Sequence, residues 1–261
     1  MNELVILIFL AFLPVLLITL YIYHKDKNKE PPKLLLKLFI LGILSCILVV
    51  EITSILKMIL PFMTKANRYS NYLNFFLYTF IGVGFIEELC KWFIVYFIGY
   101  NNKEFNESFD IIVYSAFVSL GFALIENIIY IQSEKTIKTA FFRAISSVPT
   151  HAFIAVFMGY LLLQAKTNHL KNNKKQAKNY LLCSILIPTL LHGTYDFCIL
   201  SNIKLLTTIF IALLVFFYLI TIIKTEKLAK NSKPINTNKY CNSCGHLITG
   251  QICSKCGARQ E

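Results

Sequence analysis

Apolar residues fall in seven blocks along the chain, at about 4–23, 34–56, 72–99, 109–132, 139–163, 180–200 and 203–223. Each is about 20 residues or longer, the length a helix needs to cross a hydrocarbon core of roughly 30 Å. Backbone amides in lipid must bond within their own segment, so blocks of this kind predict helices. The expected fold class is an all-α polytopic membrane protein with about seven transmembrane helices. An eighth arises if the third block splits. From Tyr72 to Ile98 a straight α-helix would run about 40 Å, so it must tilt, kink or break. Gly82 and Gly84 mark the natural place for it.

Composition agrees with the pattern. Hydrophobic residues make up 56% of the chain and the mean hydropathy is +0.60, above an ordinary soluble domain. The first block lacks a basic leader and a small-residue cleavage site, so it reads as a retained helix. A net charge of +12 would suggest nucleic acid in a soluble protein. Here the lysines crowd alternate loops, which is the signature of membrane topology. With the N-terminus outside, 18 of the 26 basic residues lie in cytoplasmic loops or the tail and 6 on the other side, while Lys91 and Arg143 fall inside spans. The expected topology is N-out, C-in, with the bilayer as a partner and no nucleic acid.

Chemistry sits inside the apolar blocks. Glu87, Glu88 and Lys91 interrupt the third, and an ionisable group at a helix centre costs roughly 2.5–3.5 kcal/mol on insertion scales. Glu87 and Lys91 are i,i+4 neighbours and Glu88 and Lys91 are i,i+3 neighbours. One lysine with one glutamate would suffice to lock helix packing, so the second carboxylate is surplus. The later blocks hold Glu126 and Asn127, then His151, then His192 with Asp196 four positions on. A single intramembrane His or Asn is often interhelical hydrogen-bond glue. Four acids and two histidines on four consecutive spans point instead to one shared cavity.

Such a set activates water. A partly desolvated glutamate takes a proton as general base, and a histidine or acid donates to the carbonyl oxygen or the leaving amine. No Gly-x-Ser-x-Gly elbow supplies a nucleophile, and His-Glu-x-x-His is absent. The same glutamates and histidines suit a water-activating metal, and spacing alone leaves both routes open. The alternative is a proton- or cation-coupled transporter using the same carboxylates and histidines. The absence of a visible inverted repeat counts against it.

Glu87-Glu88-x-x-Lys91, Phe122-x-x-x-Glu126-Asn127, His151 with Gly159 eight positions on, and His192-x-x-x-Asp196 resemble the motif series of the PrsW family. These bacterial intramembrane proteases are distantly similar to the CAAX prenyl endopeptidases. The match runs from about Tyr72 to Asp196. The resemblance implies a multi-pass protein of the bacterial cell membrane that hydrolyses peptide bonds of membrane protein substrates, including site-1 type cleavage of an anti-sigma factor. It implies that Glu87 and Glu88 position and activate water. His151 and His192 would stabilise the oxyanion or bind a metal, and Glu126, Asn127, Asp196 and Lys91 would complete the pocket. The family has been described both as metalloproteases and as glutamate-dependent proteases.

The tail divides from this protease-like region. Residues 1–224 read as the transmembrane domain with its motif core at 72–200, residues 225–238 as a flexible basic linker, and residues 239–259 as a small module. Cys241, Cys244, Cys253 and Cys256 form two Cys-x-x-Cys knuckles, each followed by Gly. Four thiolates at that spacing predict a structural Zn²⁺ site of the zinc-ribbon kind. About 20 residues bury too little to fold unaided, so the metal must supply the folding energy. A cytoplasmic partner for the ribbon follows as an expectation.

Overall fold

The computed structural model describes residues 3–64, 69–201 and 203–235, with 239–240, 243, 247–248 and 255–259. Helices α1 (Glu3–Lys25) and α2 (Pro32–Ile59) come first. The third apolar block follows as α3 (Tyr72–Leu77), a π-helix (Tyr78–Phe85), α4 (Ile86–Ile94) and a second π-helix (Val95–Tyr100). Then come α5 (Asp110–Glu134), α6 (Ile137–Ile145), α7 (Ser147–Leu170), α8 (Lys174–Leu200) and α9 (Lys204–Lys230). Among the described residues, six helical stretches are long and apolar enough to cross a membrane, α6 and α7 counting as one. The third block adds a further helical passage.

That third block does not split. It stays helical from Tyr72 to Tyr100 and accommodates its length by winding wider, with Gly82 and Gly84 inside the first π segment. A π-turn takes up an extra residue and rotates whatever follows it, which is why such turns recur at functional sites. Here Glu87 and Glu88 follow directly.

The fifth block breaks where one span was expected. Ser146 separates α6 from α7, and its hydroxyl donates to the carbonyl of Phe142 at 2.8 Å. Pro149 lies in the first turn of α7, where a missing N–H is harmless. Arg143 therefore belongs to a separate short helix.

Helices α5 and α7 form the hub. In their most apolar windows 83% of α5 and 78% of α6–α7 are buried, against 22% for α1 and 11% for α9. The exposed Leu, Ile and Phe side chains of α1, α2 and α9 therefore face lipid. Small residues let the hub close up. A Cβ on Gly42 would lie 2.1 Å from the Val118 carbonyl oxygen, and one on Gly159 2.8 Å from Ile112 Cα.

The linker assignment needs correcting. Helix α9 continues to Lys230, six residues past the expected boundary at Lys224. Beyond it the Ser108 amide donates to the Lys233 carbonyl at 2.9 Å, and the Ile235 amide to the Asn106 carbonyl at 2.7 Å. Ile235 is buried in the main core cluster with Phe105 and Phe109. Polar composition suggested a loose linker, but one buried isoleucine and a short strand-like strap fix residues 225–235.

In the tail, Lys239–Tyr240 pairs antiparallel with Leu247–Ile248. Cys241, Cys244 and Cys253 lie outside the described residues, and Cys256 is exposed.

Candidate functional site

The site begins with a backbone contact. A Cβ on Gly84 would meet the Gly193 amide nitrogen at 3.1 Å, and one on Gly193 would meet the Phe80 ring at 2.6 Å. Two glycines thus let the first π-helix lie directly against α8. That contact delivers the start of α4 to His192.

Glu87, Glu88, Lys91, His151 and His192 are all buried. Lys91 Nζ lies 2.7 Å from Glu88 Oε1, 3.6 Å from Glu87 Oε2 and 3.1 Å from His151 Nδ1. It also sits 4.1 Å above the Phe122 ring, a cation–π contact that helps a desolvated ammonium. Lysine only donates, so His151 Nδ1 is the acceptor and its Nε2–H donates to Glu126 Oε2 at 2.7 Å. The Ser119 hydroxyl holds the His151 carbonyl at 3.0 Å.

His192 is oriented the opposite way. Its Nδ1–H donates to Glu88 Oε1 at 2.8 Å, which leaves the Nε2 lone pair facing Glu87 Oε2 and Asp196 Oδ2, each at 3.7 Å. A carboxylate behind one imidazole nitrogen, with the other nitrogen free, is how proteins prepare a metal-ligating histidine. The His151 and His192 rings stand 5.4 Å apart and nearly perpendicular.

A second layer joins from α5 and α6. Arg143 Nη2 is 2.9 Å from Glu126 Oε2, the oxygen that His151 also uses. Its Nε donates to Asn127 Oδ1 at 2.8 Å, and its guanidinium carbon lies 3.9 Å above the Tyr130 ring. A cavity of about 560 Å³ opens over Glu126, Arg143, His151, His192 and Asp196. It extends to Glu134 and Lys138 at the far end of α5 and the start of α6. A smaller cavity of about 150 Å³ reaches Glu87 and Glu126 from the α2 side.

Glu87, His151 and His192 offer one donor atom each within 4.8 Å of one another. The carboxylate oxygens Glu87 Oε2 and Glu88 Oε2 are buried with no hydrogen-bond partner among the described residues. Unsatisfied buried carboxylate oxygens beside two imidazoles fit a divalent cation. The His151 nitrogen left over from Glu126 is the one now facing Lys91, so ammonium and metal compete for that lone pair.

Seven of the eight expected intramembrane residues converge: Glu87, Glu88, Lys91, Glu126, His151, His192 and Asp196. Asn127 stands one step back, holding Arg143. Arg143 escaped attention as a site residue. Its signal was chemical, as one of only three arginines in a lysine-rich chain and the one within a span. Glu51 is exposed on α2, and Asp110 accepts the amides of Asn106 and Glu107 at the other end of α5.

Comparison with known proteins agrees with this geometry. The model of the PrsW family intramembrane metalloproteases matches residues 30–223. "Protease PrsW" of Oceanobacillus iheyensis is 37% identical over 222 residues, covering 84% of this chain and 94% of the relative. The protein of the same name from Clostridioides difficile is 31% identical over 233 residues, covering 88% and 94%. That from Bacillus subtilis is 38% identical over 185 residues, covering 70% and 78%. No solved structure matches. None of this supports the transporter alternative. With the matched region spanning every helix that carries the site, the chain belongs to the PrsW family of intramembrane metalloproteases and is an intramembrane peptidase.

Proposed function

We propose that the chain cleaves peptide bonds of membrane protein substrates in the cavity beneath α6, with Glu87, His151 and His192 holding a divalent metal. The observation that carries this reading is the close approach of those three donors beside two unsatisfied carboxylate oxygens. A bound metal would polarise the scissile carbonyl and make water acidic enough to lose a proton near neutrality. Glu88 then has two tasks. Its Oε1 fixes the His192 ring, and its Oε2 is free to take the proton from water and pass it to the departing amine. Glu126 plays the equivalent part for His151 through Nε2. Lys91 neutralises the paired acids when no metal is present. Asp196 lines the cavity beside His192 Nε2 and supplies a further acceptor there.

The lysine bias supports an N-terminus outside and a tail in the cytoplasm of a bacterial cell. Site-1 type cleavage of an anti-sigma factor or a similar regulator is the substrate reading that goes with the family. Cys241, Cys244, Cys253 and Cys256 would hold a structural zinc in a ribbon that docks a cytoplasmic partner.

The test is cleavage of single-span proteins by the purified enzyme in detergent, with Cys241→Ser and Cys253→Ser introduced to disable the second zinc site. A chelator should abolish cleavage and added Zn²⁺ restore it, while Glu88→Gln inserts normally and cuts nothing. Cleavage indifferent to chelator would overturn the metal and leave a glutamate-only mechanism. Equal cleavage by Glu88→Gln would sink the role given to that carboxylate.

A further inference from the structure

The chain carries 26 lysines and arginines, of which only Arg68, Arg143 and Arg259 are arginine. Arg143 is the one built into the membrane site, and lysine could not do what it does there. Its guanidinium is held on two sides. Nε donates to Asn127 Oδ1 at 2.8 Å, and Nη2 makes a charge contact with Glu126 Oε2 at 2.9 Å that leaves its hydrogen bonding unsatisfied. The Tyr130 ring supports one face of the plane. Neither terminal nitrogen makes a hydrogen bond among the described residues, Nη2 being buried without one, and the side chain lines the 560 Å³ cavity. A planar fork held by one hydrogen bond, one charge contact and a ring face keeps its remaining N–H donors in a fixed geometry, which an ammonium lacks.

The guanidinium stands beside the proposed reacting centre. The oxygen that Arg143 pairs with is the one that receives His151 Nε2–H at 2.7 Å, so the guanidinium stands two hydrogen-bond lengths from an imidazole of the proposed metal trio. Resting on the reading above, we infer that a terminal N–H of Arg143 donates a hydrogen bond to the carbonyl oxygen of the scissile peptide and stabilises the charge that develops there. As the water oxygen bonds to the carbonyl carbon, the C=O π pair withdraws onto oxygen, where the guanidinium N–H meets it. The arginine keeps its proton throughout. The pair returns as the C–N bond breaks and the amine leaves with the proton taken from water. Glu126, Asn127 and Tyr130 are positioning residues for this donor.

The inference separates from mere fold support by its kinetic signature. With a single-span substrate that the wild type cleaves, Arg143→Ala should lower kcat about 10²–10³-fold, the usual loss for one oxyanion donor, while KM stays within about threefold. Arg143→Lys should remain near the alanine value, and methylguanidinium added to Arg143→Ala should restore part of kcat. Far-ultraviolet circular dichroism and the apparent Tm of Arg143→Lys should match the wild type. A loss confined to KM, an Arg143→Lys enzyme as fast as wild type, or a loss tracking a fall in Tm without rescue would each overturn the assignment. Failure of the wild type on every substrate would instead overturn the protease reading, and the arginine's role with it.

Discussion

Two groups of buried carboxylates sit in this bundle, and they are compensated by different physics. In the site, Glu87, Glu88 and Glu126 lie against Lys91, Arg143 and two imidazoles. At the lysine-rich end, Asp26, Glu30 and Asp110 are just as buried, but among the described residues no ammonium meets their carboxylates. Asp110 accepts two backbone amides, and Glu30 accepts the hydroxyl of Tyr114. Lys29 directs its ammonium to the carbonyls of Tyr23 and Asp26 instead. Burial outweighs the Tyr114 hydrogen bond and pushes the Glu30 carboxyl up to about 7, and it raises that of Asp26 as well. Fixed cations favour the charged form of a buried carboxylate; burial without one favours the protonated carboxyl.

The largest effect that sharpens this contrast is Glu88→Gln, which should cut turnover roughly 10²–10⁴-fold with membrane insertion intact, as read by a cleavage assay on reconstituted protein. Next is Lys91→Met. It leaves two acids buried without their cation and should destabilise by about 3–5 kcal/mol, measured as a fall in apparent Tm in detergent. An unchanged Tm would mean that the site acids do not depend on Coulomb pairing.

Glu30→Gln tests the other group, and its sign reverses. A carboxyl whose folded pKa is raised binds more protons folded than unfolded, so stability falls as pH rises from about 4.5 to about 7. The full penalty, on the order of 3 kcal/mol, is present above that window. Removing the charge should therefore raise the apparent Tm at pH 8 by several degrees and change it little at pH 4.5. A rise equal at both pH values would exclude protonation as the cause. The smallest effect is Ser232→Ala. It deletes the acceptor of the Phe109 amide and the donor to Glu107, worth about 1 kcal/mol, and should appear as faster proteolysis beyond Lys230 with the bundle unaffected.

Much of this was legible in the chain because lipid leaves few options. Long apolar blocks dictate helices, and charges inside them stand out, so Glu87, Glu88, Glu126, His151, His192 and Asp196 were visible before any coordinates. What stayed hidden depends on backbone detail. Periodicity is blind to π-turns, so the fate of Tyr72–Tyr100 was not readable. The break at Ser146 hid because apolar residues continue on both sides, and it concealed the short helix that presents Arg143. Ile235 looked unremarkable in a polar tail, since a single buried contact carries no pattern.

The strap at Ile235 has a consequence for the residues that follow it. A free tether from Lys224 to Lys239 would let the module roam about 22 Å from its anchor, as a flexible chain of fifteen links does. With Ile235 seated in the core, only four links separate the anchor from Lys239, a reach of roughly 14 Å when fully extended. The accessible volume shrinks about fourfold by the cube of those radii. Lys239 is thereby held within that reach of the 106–109 loop, at the foot of the helix that carries Glu126.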